Sequence, residues 1–301
     1  MKSFVWAAAL VGASPVVALD VVPVADGVYA LVGDLSQRSA ENLGNNATFG
    51  VVVTSGGVVL IDAGAGWKAA AEIDAVIDTF TDQPVRYVID SGGQDHRWIG
   101  NSYWQAQGAT VIASADAVAD HKNRGSLEMT GLNALVGAEG LEGTSPSYAD
   151  VTFDSEYTLS LGGIDLEITH AGQAHTPGDS FIWMPSTGVV FGGDIVYIER
   201  IVGIGDQSHS GTWIEVFEAM AALKPKVVVP GHGNPVPLAT ATADTYDYLV
   251  NLRTQMGAYI DDGGDIIDSV NVDQAAFSYL ANFEGLAKRN AQQVFSEMEW
   301  E

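Results

Sequence analysis

Short β-branched runs alternate with stretches of helical spacing along the chain. Val21 to Val32 reads as strand, broken at Ala25 to Gly27. Thr48 to Thr54 and Val58 to Ile61 are joined through Ser55-Gly56-Gly57, which predicts a hairpin. Trp67 to Phe80 has apolar residues at helical spacing, whereas Val85 to Ile89 and Thr110 to Ile112 read as short strands. A polar helical stretch follows from Ser114, a natural N-cap, to about Arg124, and His121 on it is expected to be exposed. Segment 126–149, rich in Gly, Leu and Ser, predicts partial helix. Tyr157 to Leu161, Ile164 to Thr169, Phe181 to Met184, Val189 to Phe191 and Val227 to Val229 read as further strands. Trp213, Phe217, Met220 and Leu223 mark one helix face. After Pro237 the chain turns helical, with Leu249, Leu252, Met256 and Tyr259 at core spacing, and a final helix pair runs to the C-terminus.

Two groups of strands, each followed by helices, predict an α/β protein built as an αββα sandwich. The helices of about 238–301 are expected to pack on that body as an appendage. Residues 19–301 then form one domain, at roughly 280 residues long enough to bury a single sizeable core.

The start of the chain changes the picture of where it works. Lys2, the apolar run Phe4 to Gly12 and the small residues Val16-Val17-Ala18 have the three parts of a secretory signal peptide, residues 1–18, with the mature chain beginning at Leu19. A periplasmic or secreted location is expected. The apolar run is shorter than the ~20 residues a bilayer span needs, and no later stretch reads as a span. The chain has no cysteine, so it has neither disulfides nor thiolate metal ligands, and any metal must rest on His, Asp and Glu. Its 38 acidic and 13 basic residues give a net charge of -25, which repels polyanions and argues against nucleic acid as a partner. The acidic residues are scattered, as on a solvated surface.

Three of the six histidines stand in suggestive places. Asp95-His96 follows the strand ending at Ile89 and precedes a helix expected near Trp98. His175 lies in the turn-forming Ala174-His175-Thr176-Pro177-Gly178-Asp179, and His232 in Gly231-His232-Gly233 just past a strand. Asp194 ends Phe191-Gly192-Gly193-Asp194 in the same way. Polar residues at strand ends with glycine neighbours converge on one sheet edge, where imidazoles and carboxylates can hold zinc.

With Val58-Val59-Leu60-Ile61-Asp62-Ala63-Gly64 ahead of them, these motifs stand in the order of the metallo-β-lactamase superfamily. The chain resembles that family from roughly Gly27 to Pro235. The resemblance implies its sandwich fold and a structural role for Asp62. It also implies a departure. Where the family reads His-x-His-x-Asp-His, this chain reads Ser91-Gly92-Gly93-Gln94-Asp95-His96, so both histidines that hold the first metal are missing. Ser91 and Gly93 are expected to leave a small polar space there. The resemblance leaves Asp95, His96 and His232 as ligands, with Asp194, for one Zn2+, and a second site is doubtful.

Asp95 is then also a candidate to orient the attacking water. His175 is a candidate catalytic group, as proton shuttle or substrate holder, with metal ligation left open. His170 could rebuild a partial first site, but a hydrogen-bonded histidine beside the site is the stronger reading. Arg97 suits either a substrate carboxylate or a structural aspartate such as Asp62, the latter favoured. His209 either lines the cleft or is an ordinary loop histidine.

The stretch Gly92 to Asn101, with Gly193 to Arg200, is also similar to exported metallohydrolases associated with quinoprotein or sulfur-oxidation systems. That kinship implies that loss of the two histidines is a feature of a subtype, and it leaves open a periplasmic redox-system partner beside a small-molecule substrate. The reading that follows is a mononuclear zinc hydrolase attacking an ester, thioester, lactone or amide carbonyl. Two others stay open: a non-catalytic periplasmic protein binding a metal or metabolite on the same fold, and an iron or manganese enzyme of oxidative chemistry.

Overall fold

Residues 19–301 are described by a computed structural model; the expected signal peptide lies outside the described residues. The first half runs β1 (Asp20–Ala25), β2 (Val28–Val32), β3 (Thr48–Thr54), β4 (Gly57–Ile61), α1 (Trp67–Ile77), β5 (Val85–Ile89), α2 (Asp95–Trp98), α3 (Asn101–Ala106), β6 (Thr110–Ser114), α4 (Ala115–Gly140) and β7 (Val151–Phe153). Its strands form one sheet in chain order, antiparallel from β1 to β4 and parallel from β4 to β7. The switch falls where helices begin to connect the strands, as parallel pairing requires.

The second half runs β8 (Glu156–Leu161), β9 (Ile164–Thr169), β10 (Phe181–Met184), β11 (Val189–Tyr197), α5 (Ser210–Ala222), β12 (Val227–His232), α6 (Leu238–Ala241), α7 (Asp247–Asp261) and α8 (Phe283–Met298). Its sheet has the order β12-β11-β10-β9-β8, with only β11 and β12 parallel.

The sheets face each other over Val52, Val59, Ile61 and Ile89 from one side and Leu166, Ile168, Ile182 and Phe191 from the other. Gly50 sits where the Phe191 ring closes on β3; a Cβ there would lie 2.4 Å from the ring, so only glycine admits this contact. The outer faces are covered too. Leu31, Phe49, Val58 and Leu60 pack with Ile73 and Val76 of α1 and Trp104 of α3. Val190 and Val228 pack with Trp213, Phe217 and Met220 of α5, and with Leu249, Leu252, Val294 and Phe295 of the C-terminal helices. The result is the expected αββα sandwich with C-terminal helices.

Several elements differ from the expectations. The helix after β5 starts at Asp95, so Asp95 and His96 form its first turn. The helix capped by Ser114, whose Oγ accepts from Ala117 N at 3.0 Å, continues to Gly140 with a break at Gly137 (φ 84°). Leu223 only caps α5 and is 36% exposed. His121 is buried, not exposed: its ring stacks on Trp98 at 4.4 Å and Nε2 lies 3.0 Å from Gly92 O. Polar neighbours gave that helix a solvated pattern, but one face is pressed onto the loop after β5.

Candidate functional site

Groups from both sheets and from α2 meet at one edge of the sandwich, and β11 runs on to Tyr197, so Asp194 lies within the strand and does not follow it. β5 leads through a five-residue loop, Asp90 to Gln94, into α2 with Asp95 and His96. β11 carries Asp194, and β12 ends on His232. His96, Asp194 and His232, all buried, place one donor atom each within 4.8 Å of one another. His96 Nε2 is 3.5 Å from Asp194 Oδ2, and His232 Nε2 is 3.3 Å from Asp194 Oδ1.

The far nitrogens fix both rings. His232 Nδ1 lies 2.9 Å from Asn46 O, which leaves Nε2 to present its lone pair. His96 Nδ1 lies 3.0 Å from Asp95 Oδ1, and its Nε2 is buried without any hydrogen-bond partner. A carboxylate or carbonyl behind each imidazole is how metal-binding histidines are oriented. Two imidazole nitrogens and one carboxylate therefore fit a metal with an open position.

Asp95 stands outside this trio. Its Oδ1 accepts from Arg38 Nε at 2.8 Å and from the His96 backbone at 2.7 Å. Burial alone would raise its carboxyl, but Arg38 and His96 outweigh burial and hold it well below the usual range. Arg38, from the loop between β2 and β3, carries no motif and is invisible in the sequence. Asp194 is likewise held ionised against burial, above all by Arg97.

Arg97 is fully buried and uses all five N–H donors: two to Asp194 (2.7 and 3.1 Å), and one each to Asp62 (2.7 Å), Thr48 O (3.1 Å) and Gly231 O (2.8 Å). The expected Asp62 partner is present. Asp194 and Gly231, from the opposite sheet, are additions.

The small space expected at Ser91 and Gly93 is filled at Gly93. A Cβ on Gly93 would lie 2.0 Å from Asp120 Oδ2 and 3.0 Å from an Arg124 nitrogen, while Arg124 also donates to Gly93 O. Ser91 is buried, its Oγ without a partner.

His175 comes to the same cleft. Its Nε2 is 2.9 Å from Gln94 Oε1, its Nδ1 has no partner, and its ring meets those of Tyr197 and Trp213 edge-on or tilted. Burial lowers its pKa to about 4, so the ring is neutral at pH 7. His170 points elsewhere, with Nδ1 on Asp179 O at 2.8 Å and Nε2 toward Asp116. His209 caps α5, its Nδ1 accepting from Thr212 N and lying 3.3 Å from Glu297. Neither joins the trio.

The cleft over the trio has a volume of about 200 Å³, and His96, His175, Tyr197, Arg200 and His232 line it. Tyr197 stacks on His232 at 4.7 Å. Sequence reasoning missed Tyr197 and Arg200 as lining groups, although both lie in the stretch after Asp194 already marked as similar to exported metallohydrolases.

Comparison with known proteins bears on this geometry. A model of the metallo-beta-lactamase superfamily matches residues 44–232. A metallo-beta-lactamase type 2 from Bacteroides fragilis is 29% identical over 86 residues, 27% of this chain and 34% of that protein, so the match spans about a third of the relative. In structure the chain is similar to a metallo-beta-lactamase from Pontibacter korlensis, with a TM-score of 0.62 and 23% identity over 77% of this chain and 99% of that one. It is also similar to TMB-1, at 0.60 and 19% over 77% and 97%, and to the DIM-1 metallo-beta-lactamase, at 0.60 and 17% over the same shares.

Proposed function

The chain belongs to the metallo-β-lactamase superfamily of metal-dependent hydrolases, and from that premise we propose a hydrolase that holds a single zinc ion on His96, Asp194 and His232. One observation carries the proposal: His96 Nε2 is buried with no partner and faces two other donors, within 4.8 Å, of a three-residue set. Zinc bound there would polarise a carbonyl and lower the pKa of a bound water to about 7.

The chain's own groups do the rest. Asp95 orients the His96 ring from behind and acts on the metal through it, which differs from direct ligation. Arg97 fixes the Asp194 carboxylate from below. His175 reaches the cleft as a neutral imidazole; burial leaves it too weak a base to capture protons at pH 7, which favours holding the substrate by a hydrogen bond over shuttling a proton. Candidate substrates are esters, thioesters, lactones and amides. Gln94 and Tyr197 bound the reacting space.

Two imidazoles and one carboxylate also suit iron or manganese, which gives an oxidative reading a specific footing. Elemental analysis of protein purified without chelator, followed by a substrate panel, separates the cases. About one zinc per chain with hydrolysis supports the proposal. Iron or manganese supports the second reading, and no metal at all supports a binding protein. We further propose a periplasmic or secreted location, which mass spectrometry tests: the native chain should begin at Leu19.

A further inference from the structure

We propose that the cleft contains an anion subsite, built by Arg200 and Arg289, that selects substrates carrying a small organic carboxylate. This rests on the reading of the cleft as the substrate's place. The chain has 38 acidic residues, yet none of the residues lining the cleft is acidic, while Arg38, Arg200 and Arg289 all line it.

These arginines are not equally engaged. Arg38 is answered by Asp95 at 2.8 Å. Arg200 is 6% exposed, and among the described residues no carboxylate comes within 4.0 Å of it. Its Nε has no partner, and one terminal nitrogen touches only His232 Nδ1 at 3.4 Å, an atom already turned to Asn46 O. The Tyr197 ring beneath it, 6.0 Å to the centroid, gives partial compensation. Asp194 and Asp34 act on Arg200 only from a distance and do not offset its burial. A buried guanidinium with no carboxylate in contact is costly, and an entering anion that pairs with it recovers part of that cost. A planar guanidinium presents paired N–H groups that match a carboxylate in two parallel hydrogen bonds.

Arg289 stands at the mouth on α8, one turn from Leu286, which also lines the cleft. It has no hydrogen-bond or ion-pair partner among the described residues. Arg289 and Leu286 lie beyond residue 232 and Gln37 and Arg38 before residue 44, so these walls fall outside the segment matched to the superfamily. At about 200 Å³ the cleft is below the roughly 300 Å³ where drug-sized ligand sites begin, which points to a small acid.

The test uses succinate as probe, titrated by calorimetry into protein as purified and into protein stripped of metal. Succinamide serves as its neutral counterpart, and inorganic phosphate as a competing anion. Saturable succinate binding is expected in both samples, with none for succinamide. Arg200→Gln should weaken it at least tenfold. The exposed Arg289→Glu, which leaves the buried structure intact, should weaken it several-fold, and metal content should be unchanged in both variants. Succinate bound equally by Arg200→Gln and Arg289→Glu would overturn the subsite. Phosphate bound where succinate is not would overturn the carboxylate assignment. Because the stripped protein still reports on the arginines, a failed metal assignment and a failed subsite give different results.

Discussion

The two ring nitrogens of His96 are used differently: Nδ1 faces the Asp95 carboxylate, and Nε2 faces the trio with nothing to bond. His96→Ala and His232→Ala should each abolish tight metal binding, because each removes one of two imidazoles. Asp95→Asn should keep about one metal per chain and weaken its affinity roughly 10–100-fold, the usual cost of losing an orienting partner. Competition with a chelator measures both. Arg97→Met would strip the buried Asp62 of its counter-charge and Asp194 of two charge-assisted hydrogen bonds, and should cost about 3–5 kcal/mol, read from the denaturant midpoint. His232 was legible as a glycine-flanked histidine ending a strand, and His96 and Asp194 through the order of the motifs, although Asp194 lies inside β11 and His96 in the first turn of α2. The second partner of Arg97 was not legible, since only the docking of two sheets brings Asp194 to it. Arg38 was hidden for a similar reason: a polar loop has no period to show which way a side chain turns.

Between β5 and α2, the loop Asp90 to Gln94 is pressed against α4, and that contact decides what the missing histidines mean. Asp120 and Arg124 occupy the room a side chain at Gly93 would need. Gly93→Ala should therefore destabilise the protein by roughly 1–3 kcal/mol through overpacking, visible as a lowered thermal midpoint. Restoring histidine at positions 91 and 93 should not add a second metal by elemental analysis. His121 on the same helix gives a pH signature. Burial lowers its pKa from 6.5 to about 4, so in the unfolded chain it takes a proton near pH 6.5 that the folded protein refuses until near pH 4. Its contribution is fully present above pH 6.5 and lost as pH falls toward 4, a difference of about 3 kcal/mol. His121→Gln, which does not titrate, should flatten that part of the stability profile in chemical denaturation across pH 4 to 7. The strands were readable here because a short β-branched apolar run is a local signal. The buried face of α4 was not, because Asp120, His121 and Gly125 stand between its buried Ala117, Val118, Leu132 and Val136 and interrupt the apolar stripe.

On the scale of the whole molecule, the C-terminal helices belong to the cleft as much as to the core. Asn290 of α8 is fully buried; its Oδ1 accepts from Ile204 N at 3.0 Å and its Nδ2 donates to Val202 O at 2.8 Å. It thereby clamps the segment after Arg200 that lines the cleft. Asn290→Ala leaves two buried backbone groups without partners and should cost about 1–3 kcal/mol. Hydrogen exchange should show the amide of Ile204 exposed earlier than those of β11. The sandwich followed from the order of strands and helices, whereas the way α8 reaches back could not be read from a helical pattern that says only which face is apolar.

The trio's donors also come from different halves of the chain: His96 from the seven-stranded side, Asp194 and His232 from the five-stranded side. A metal held there is a clasp between two layers, so its affinity and the cohesion of the layers are linked quantities. By mass action, metal at a hundred times its dissociation constant would add about 2.7 kcal/mol to the joined state and nothing to either layer alone. A chelator would then loosen the seam between the sheets while leaving each sheet's hydrogen-bonded ladder in place.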